Sequence, residues 1–223
     1  MFINKFMTTD VVTLDGESSI KEARALMIRH RFRHLPVTRP DTTIIGIVSD
    51  RDIRSAMGES YFDDHGNNLK GGGREIDIRV QDIMTKNPVC ISHASTIQDA
   101  LLLIEKTRVG AFPVVDETRK LIGIVSDRDL LNAFIHVLGI REPGSLIGIV
   151  IDKKIDTMEK IIHALIVENI HFGSILVYRN WRPDKWAVFP YLLSKNVIHL
   201  KQKLREMGYE LVDPIDWYVA QQD

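Results

Sequence analysis

The sequence predicts an α/β chain, α+β in arrangement, in which one unit is written twice and a separate small domain follows. Three observations carry this. Met7 to Met57 aligns without a gap on Met84 to Phe134, at a constant offset of 77. Each copy runs from a capped amphipathic helix through two β-like segments to a second helix. Beyond Arg141-Glu142-Pro143-Gly144 the pattern changes to strand, helix, strand, strand, helix, strand. The expected boundaries are 1–58 and 77–140 for the two copies, 59–76 for a loop between them and 145–223 for the last domain.

Each copy reads alike. A short extended segment, Val11 to Leu14 or Val89 to Ile91, leads to a helix marked by a capping box, Ser19-x-x-Glu22 in the first copy and Ser95-x-x-Gln98 in the second. Ile20, Ala23, Leu26 and Met27 give the first helix an apolar face, and Ile97, Ala100, Leu101 and Ile104 do so in the second. The strand pairs are Leu35 to Thr38 with Thr43 to Val48, and Phe112 to Asp116 with Leu121 to Val125, joined by turn-prone Pro40-Asp41 and Glu117-Thr118. The second helices begin near Asp50 and Asp127.

Gly58 to Arg74 joins the copies, and its Asp63-Asp64, Asn67-Asn68 and Gly71-Gly72-Gly73 cannot form an apolar face, which predicts a flexible loop. The glycine triplet is not a phosphate loop, because Arg74-Glu75 follows instead of Lys-Ser/Thr.

In the last domain, helices are predicted at about Thr157 to Glu168, with Met158, Ile161, Ile162, Leu165 and Ile166 on one stripe, and at about Asn196 to Met207, with Val197, Leu200, Leu204 and Met207. The strands are Leu146 to Ile151, Ser174 to Tyr178, Trp186 to Leu192 and Leu211 to Asp216. This βαββαβ order predicts a ferredoxin-like antiparallel sheet covered by both helices. Trp181, Trp186 and Trp217 are expected in core or dimer contacts.

Composition narrows the function. With 29 basic and 30 acidic residues the chain has a formal charge of -1, which gives no overall pull toward nucleic acid or anionic lipid. The longest apolar runs, such as Ala100 to Ile104, fall far short of the roughly 20 residues needed to cross a bilayer. No signal-peptide core opens the chain, so a cytoplasmic location is expected. Cys90 is the single cysteine and reads as a small core residue, excluding an internal disulfide or a Cys-rich zinc site. Gly-x-Ser-x-Gly and His-Glu-x-x-His are absent, and His30 and His34 need not share a helix face, so neither an enzyme nor a metal site is expected.

The chemistry concentrates where the heptapeptide GIVSDRD recurs, at 46 to 52 and at 123 to 129. An apolar strand ends there and a helix begins. Ser49 and Ser126 are good N-caps, the exposed amides and positive end of a helix favour an anion, and Arg51 and Arg128 add full charge. Asp52 and Asp129 follow three residues on, where a carboxylate can accept two hydrogen bonds from the vicinal hydroxyls of a ribose. Phosphate and diol together describe a nucleotide. The competing reading is a plain helix cap with solvated surface pairs.

The sequence resembles the CBS-domain family, whose units occur in pairs called Bateman modules. The resemblance spans about residues 1 to 140. It rests on Met-Thr opening each copy, on His34-Leu35-Pro36-Val37 and Ala111-Phe112-Pro113-Val114, and on Gly-x-x-Ser-x-x-Asp in both copies. It implies two units related by a pseudo-twofold axis, packed sheet to sheet, with two clefts for AMP, ADP, ATP or S-adenosylmethionine. By the same resemblance Asp52 and Asp129 contact ribose, and Ser49, Ser126, Arg51 and Arg128 lie on the ribose-phosphate side. The segments Thr8 to Val12, Thr85 to Val89, Leu35 to Val37 and Phe112 to Val114 hold the base, placing Thr8, Val12, Thr85, Val89, Pro36 and Pro113 in the clefts. Arg33-His34, which stands where the second copy has Gly110-Ala111, is expected to grip ligand phosphates in one cleft; which one is left open.

The last domain is similar to an ACT domain, and the whole layout resembles the acetoin-utilisation regulatory proteins. Amino-acid-binding ACT domains carry a Gly-containing turn after the first strand, where this chain has Asp152-Lys153-Lys154-Ile155-Asp156. The expected function is therefore regulatory: a homodimer with no required cofactor, sensing an adenosine derivative and signalling to a regulated partner. The alternative is a dimerisation scaffold with degenerate pockets.

Overall fold

The structure, a computed structural model, describes residues 1–57, 78–153 and 156–212. The loop expected at 59–76 and Trp217 lie outside the described residues. The chain divides into two compact units, Met1–Leu130 and Leu131–Asp223.

In the first copy, helix α1 (Ile20–His30) starts where Ser19 Oγ accepts from the Glu22 amide at 3.2 Å. It buries Ile20, Ala23 and Met27 and ends at Arg31, whose φ of 58° stops the helix. Strands β1 (His34–Thr38) and β2 (Ile44–Ser49) then pair antiparallel, with His34 opposite Ser49, and α2 (Asp50–Met57) follows at once.

In the second copy a short helix α3 (Val80–Ile83) and strands β3 (Thr85–Lys86) and β4 (Ile91–Ser92) precede α4 (Ile97–Thr107). Strands β5 (Ala111–Val115) and β6 (Leu121–Ser126) pair antiparallel and lead into α5 (Asp127–Leu138). The cap of α4 differs from expectation. Thr96, not Ser95, is the N-cap: its hydroxyl and amide both donate to Asp99 Oδ2 at 2.7 Å, and the Asp99 amide returns a bond to Thr96 Oγ1 at 3.1 Å. Thr96 and Asp99 form two charge-assisted bonds that Ser95 and Gln98 cannot match.

The two copies exchange their lead-in segments. Thr8 pairs with Ile124 through two backbone bonds of 2.9 Å, and Thr85 pairs with Ile47 at the equivalent place. Val80 from α3 is buried in the first copy's core beside Leu14, Ile20, Leu35, Val48 and Ile53. Burying a side chain of this size contributes about 1.5–3 kcal/mol, so the first copy does not complete its core alone. The two hairpin turns also meet, Leu121 donating to Thr42 O at 3.0 Å and Ile44 to Arg119 O at 3.3 Å.

In the C-terminal unit, β7 (Ser145–Leu146) and β8 (Gly148–Asp152) precede α6 (Asp156–Val167), β9 (Phe172–Arg182), β10 (Lys185–Leu192), α7 (Ile198–Glu206) and β11 (Glu210–Val212). The sheet runs β11-β8-β10-β9, all antiparallel, with β7 pairing the far end of β10. This is the expected βαββαβ arrangement. Ile147, Ile149 and Ile151 meet Ile161, Leu165, Leu200 and Leu204 of the helices, and Trp186 packs against this core. Strand β9 is longer than the Ser174 to Tyr178 that the sequence predicted. Residues 213–216 of the expected last strand lie outside the described residues.

Candidate functional site

Each strand that ends in the repeated heptapeptide delivers a closed cap at the start of a helix. Asp52 Oδ2 accepts from the Ser49 amide at 2.8 Å and from Ser49 Oγ at 2.7 Å, while the Asp52 amide donates to Ser49 Oγ at 3.3 Å. Ser126 and Asp129 repeat the geometry at 2.8, 2.7 and 3.3 Å. The Ser-x-x-Asp cap of the competing reading is thus present in both copies, with the carboxylate engaged through Oδ2 and Oδ1 left outside the cap. Both aspartates are half-buried, whereas Arg51 and Arg128 are exposed on the first turn. A hydroxyl-bearing ligand at either helix start would meet Oδ1 of a carboxylate whose other oxygen is held by two hydrogen bonds.

The exchange of segments sets what surrounds these caps. Thr8 lies on the strand that ends at Ser126, and Thr85 on the strand that ends at Ser49. Pro36 and Pro113 are buried in β1 and β5, Val12 packs against the first copy's core, and Val89 is exposed. Arg33 is exposed, and its carbonyl accepts from the Asp50 amide at 2.9 Å.

His34 does not lie beside its own helix alone. Its Cε1 and Nε2 stand 3.3 and 3.5 Å from the point a Cβ would occupy on Gly110, and Asp127 Oδ2 is 3.7 Å from the same point. Burial lowers the pKa of His34 below the ordinary histidine value; the carboxylates of Asp127 and Asp52 raise it, and Arg33 lowers it further. The sequence shows the Arg33-His34 against Gly110-Ala111 asymmetry but not that Asp127 faces it.

His30 stacks on Phe32 with ring centroids 5.4 Å apart. Among the described residues no group of three or more His, Cys, Asp or Glu is arranged to hold a metal ion. Cys90 is half-buried rather than fully in the core; its thiol donates to Pro88 O at 3.3 Å, and burial pushes its pKa up. Trp181 meets Tyr178 and Phe189 edge-on at 6.3 and 5.8 Å. Two hollows open in the C-terminal unit, one of 310 Å³ beside Glu168, His171 and His199, the other of 640 Å³ beside Asp152, Lys160 and Glu210. Neither touches the Ser-Asp caps. No helix among the described residues is long and apolar enough to cross a membrane.

Comparison with known proteins bears on this arrangement. The family profile of the CBS domain matches residues 3–59 and 80–136. An inosine-5′-monophosphate dehydrogenase of Korarchaeum cryptofilum is 31% identical over 175 residues, 76% of this chain. The chain spans 33% of that protein's length. Among solved structures, the CBS domain pair of protein MJ0100, in complex with 5′-methylthioadenosine and S-adenosyl-L-methionine, is 22% identical with a TM-score of 0.51, covering 60% of this chain and 95% of its own. CBSX2 in complex with AMP is 24% identical with a TM-score of 0.50 over 63% of this chain and 98% of its own. AcuB from Vibrio cholerae is 22% identical with a TM-score of 0.53 over 63% of this chain and 96% of its own. At these identities the structural likeness is one of fold.

Proposed function

Because the chain belongs to the CBS-domain family, we propose that its two copies form a sensor for an adenosine-type ligand and report occupancy to a partner protein, with no catalysis of its own. The observation that carries this reading is the twofold occurrence of a half-buried Asp, fixed by a Ser at a helix start, with one oxygen outside the cap. In this reading Asp52 and Asp129 bind ribose hydroxyls. Ser49, Ser126 and the helix amides line the ribose-phosphate side, with Arg51 and Arg128 supplying charge. The base lies against the backbone at Thr8 to Val12 and Thr85 to Val89 and against Pro36 and Pro113. Arg33 and His34 meet ligand phosphates.

The ligands of the two structural relatives, AMP in one and S-adenosyl-L-methionine with 5′-methylthioadenosine in the other, support an adenosine core as the common element. We read the C-terminal βαββαβ unit, from its strand order, as an ACT-like regulatory domain and the protein as a cytoplasmic homodimer of the acetoin-utilisation regulatory type; the likeness to AcuB is one of fold over 63% of this chain. The activity of the dehydrogenase relative is not carried over, because the chain spans only 33% of it.

Thermal-shift measurements with AMP, ADP, ATP and S-adenosylmethionine test the proposal. A ligand that binds the folded state alone stabilises it by RT ln(1 + [L]/Kd), about 2.7 kcal/mol at a hundredfold excess over Kd. The expected outcome is a raised midpoint with at least one of the four. No shift with any of them at millimolar concentration overturns it in favour of a scaffold with degenerate pockets.

A further inference from the structure

We infer that His34 is a proton-operated contact between the two copies: once protonated it pairs with Asp127 at the start of α5 and strengthens the hold on a phosphate-bearing adenosine ligand. The ligand half of this inference rests on the function proposed above; the contact itself does not.

The geometry begins with a missing side chain. The His34 ring and the Asp127 carboxylate both lie within 4 Å of the empty Cβ position of Gly110. An alanine there would press on the ring, which would have to give by a few tenths of an ångström. The repeat offers no mirror image of this juxtaposition, because the position of His34 is Ala111 in the second copy and the position of Gly110 is Arg33 in the first.

A second asymmetry leaves Asp127 available. Its counterpart Asp50 is paired one turn on by Arg54 Nε at 2.8 Å. The position of Arg54 is Leu131 in the second copy, so α5 supplies no cation there. Asp127 Oδ1 accepts from the Arg128 amide at 2.7 Å, while Oδ2 is the oxygen 3.7 Å from the Gly110 Cβ position that the His34 ring also approaches.

The charged groups that bear on His34 are Asp127 from α5, Asp52 from α2 and Arg33 from its own chain segment. Burial wins in the free protein and favours the neutral ring. An arriving phosphate adds negative charge near the two helix starts and shifts the balance toward imidazolium. Proton uptake and anion binding are then linked, and the linkage is reciprocal: acid tightens the nucleotide as the nucleotide raises the affinity for the proton.

The test titrates the full chain and its His34→Asn and Asp127→Asn variants with AMP and with adenosine between pH 8 and pH 5.5, and follows the His34 Cε1–H resonance of wild type and Asp127→Asn by NMR. A phosphate monoester itself titrates near pH 6, so the readout is the ratio of wild-type to His34→Asn affinity. For AMP that ratio should rise about 3- to 10-fold toward acid, the factor given by a half to one pH unit of upward movement in the His34 midpoint. For adenosine it should stay flat. The midpoint should rise with AMP and fall in Asp127→Asn. A ratio that is constant with pH for AMP overturns the linkage, and a midpoint unmoved by Asp127→Asn overturns the contact. If neither ligand binds wild type at any pH, the ligand half falls together with the sensing function, while the midpoint in Asp127→Asn still decides the contact.

Discussion

Met7 of the first copy lies on Gly123 of the second: a Cβ on that glycine would stand 2.7 Å from the Met7 sulfur and 3.1 Å from the Thr8 carbonyl oxygen. Met84 occupies the same place over Gly46. These glycines are the first residues of the two heptapeptides, so each copy's candidate site is built on a strand whose smallest residue seats the lead-in segment of the other copy. Gly123→Ala should therefore destabilise the pair by about 1–3 kcal/mol, the usual cost of overpacking. That lowers the thermal midpoint by roughly 2–4 °C per kcal/mol for a chain of this length. Adding Met7→Ala should recover part of the loss, because the flexible Met7 side chain supplies two of the three nearest atoms. A midpoint unchanged by Gly123→Ala would show that the lead-in segment does not sit there.

The Ser-Asp caps give the ribose assignment a measurable signature. Asp52→Ala and Asp129→Ala should each weaken one nucleotide site by about 1.5–3 kcal/mol, roughly 10- to 150-fold. Because each carboxylate also closes a helix cap, each variant should lose about 0.5–2 kcal/mol of stability as well. Titration calorimetry reads the first effect and denaturation the second. Wild-type isotherms in both variants would refute ribose binding by these residues.

The start of α4 separates two adjacent residues. Thr96→Ala should cost about 0.5–2 kcal/mol because it removes the hydroxyl that closes the box with Asp99. Ser95→Ala should stay within about 0.5 kcal/mol of wild type. Urea denaturation of both variants checks the assignment, and the reverse order would restore Ser95 as the cap.

That cap also shows how far the sequence could be read. The gapless repeat placed both copies, both hairpins and both Ser-Asp motifs, because helix caps and alternating apolar strands are local signals. Its own register sets Thr96 opposite Ser19, yet Ser95-x-x-Gln98 matches the capping-box motif more literally. The exchange of Thr8 and Thr85 between the copies was not legible, since strand pairing at long range leaves no mark in a local pattern. Strand β9 runs past Tyr178 through Arg179 and Asn180, which break the apolar run but are tolerated on an edge strand. The asymmetry at Arg33-His34 was visible, but its partner Asp127 follows from packing alone.

Strand β9 bears on oligomeric state. Among the described strands it pairs only with β10 and exposes Leu176, Val177 and Tyr178, at 49%, 40% and 54%. An edge this apolar is a template for another strand, which favours the proposed homodimer. Light scattering at micromolar concentration should give about twice the 25.5 kDa chain mass. A monomeric mass with and without nucleotide would contradict it.

Acid stability offers the last test, and its sign follows from burial. The folded pKa of His34 lies below its ordinary value of 6.5, so as pH falls the unfolded chain takes up this proton before the folded one does. Stability attached to His34 is then fully present above pH 6.5 and is lost as pH drops toward the folded pKa. The carboxyls of Asp41, Asp99 and Asp116 are held below their ordinary 3.8, chiefly by backbone N–H donors from Thr43, Thr96 and Lys120, and their contribution is lost only below that pH. The His34 window opens at higher pH than the carboxylate window. Denaturation of wild type and His34→Asn from pH 8 to pH 5 should therefore show wild type losing stability relative to the variant, with the carboxylate losses still to come and common to both. If wild type instead gains on the variant toward acid, His34 takes up its proton on folding, and the attraction of Asp127 and Asp52 outweighs burial in the free protein.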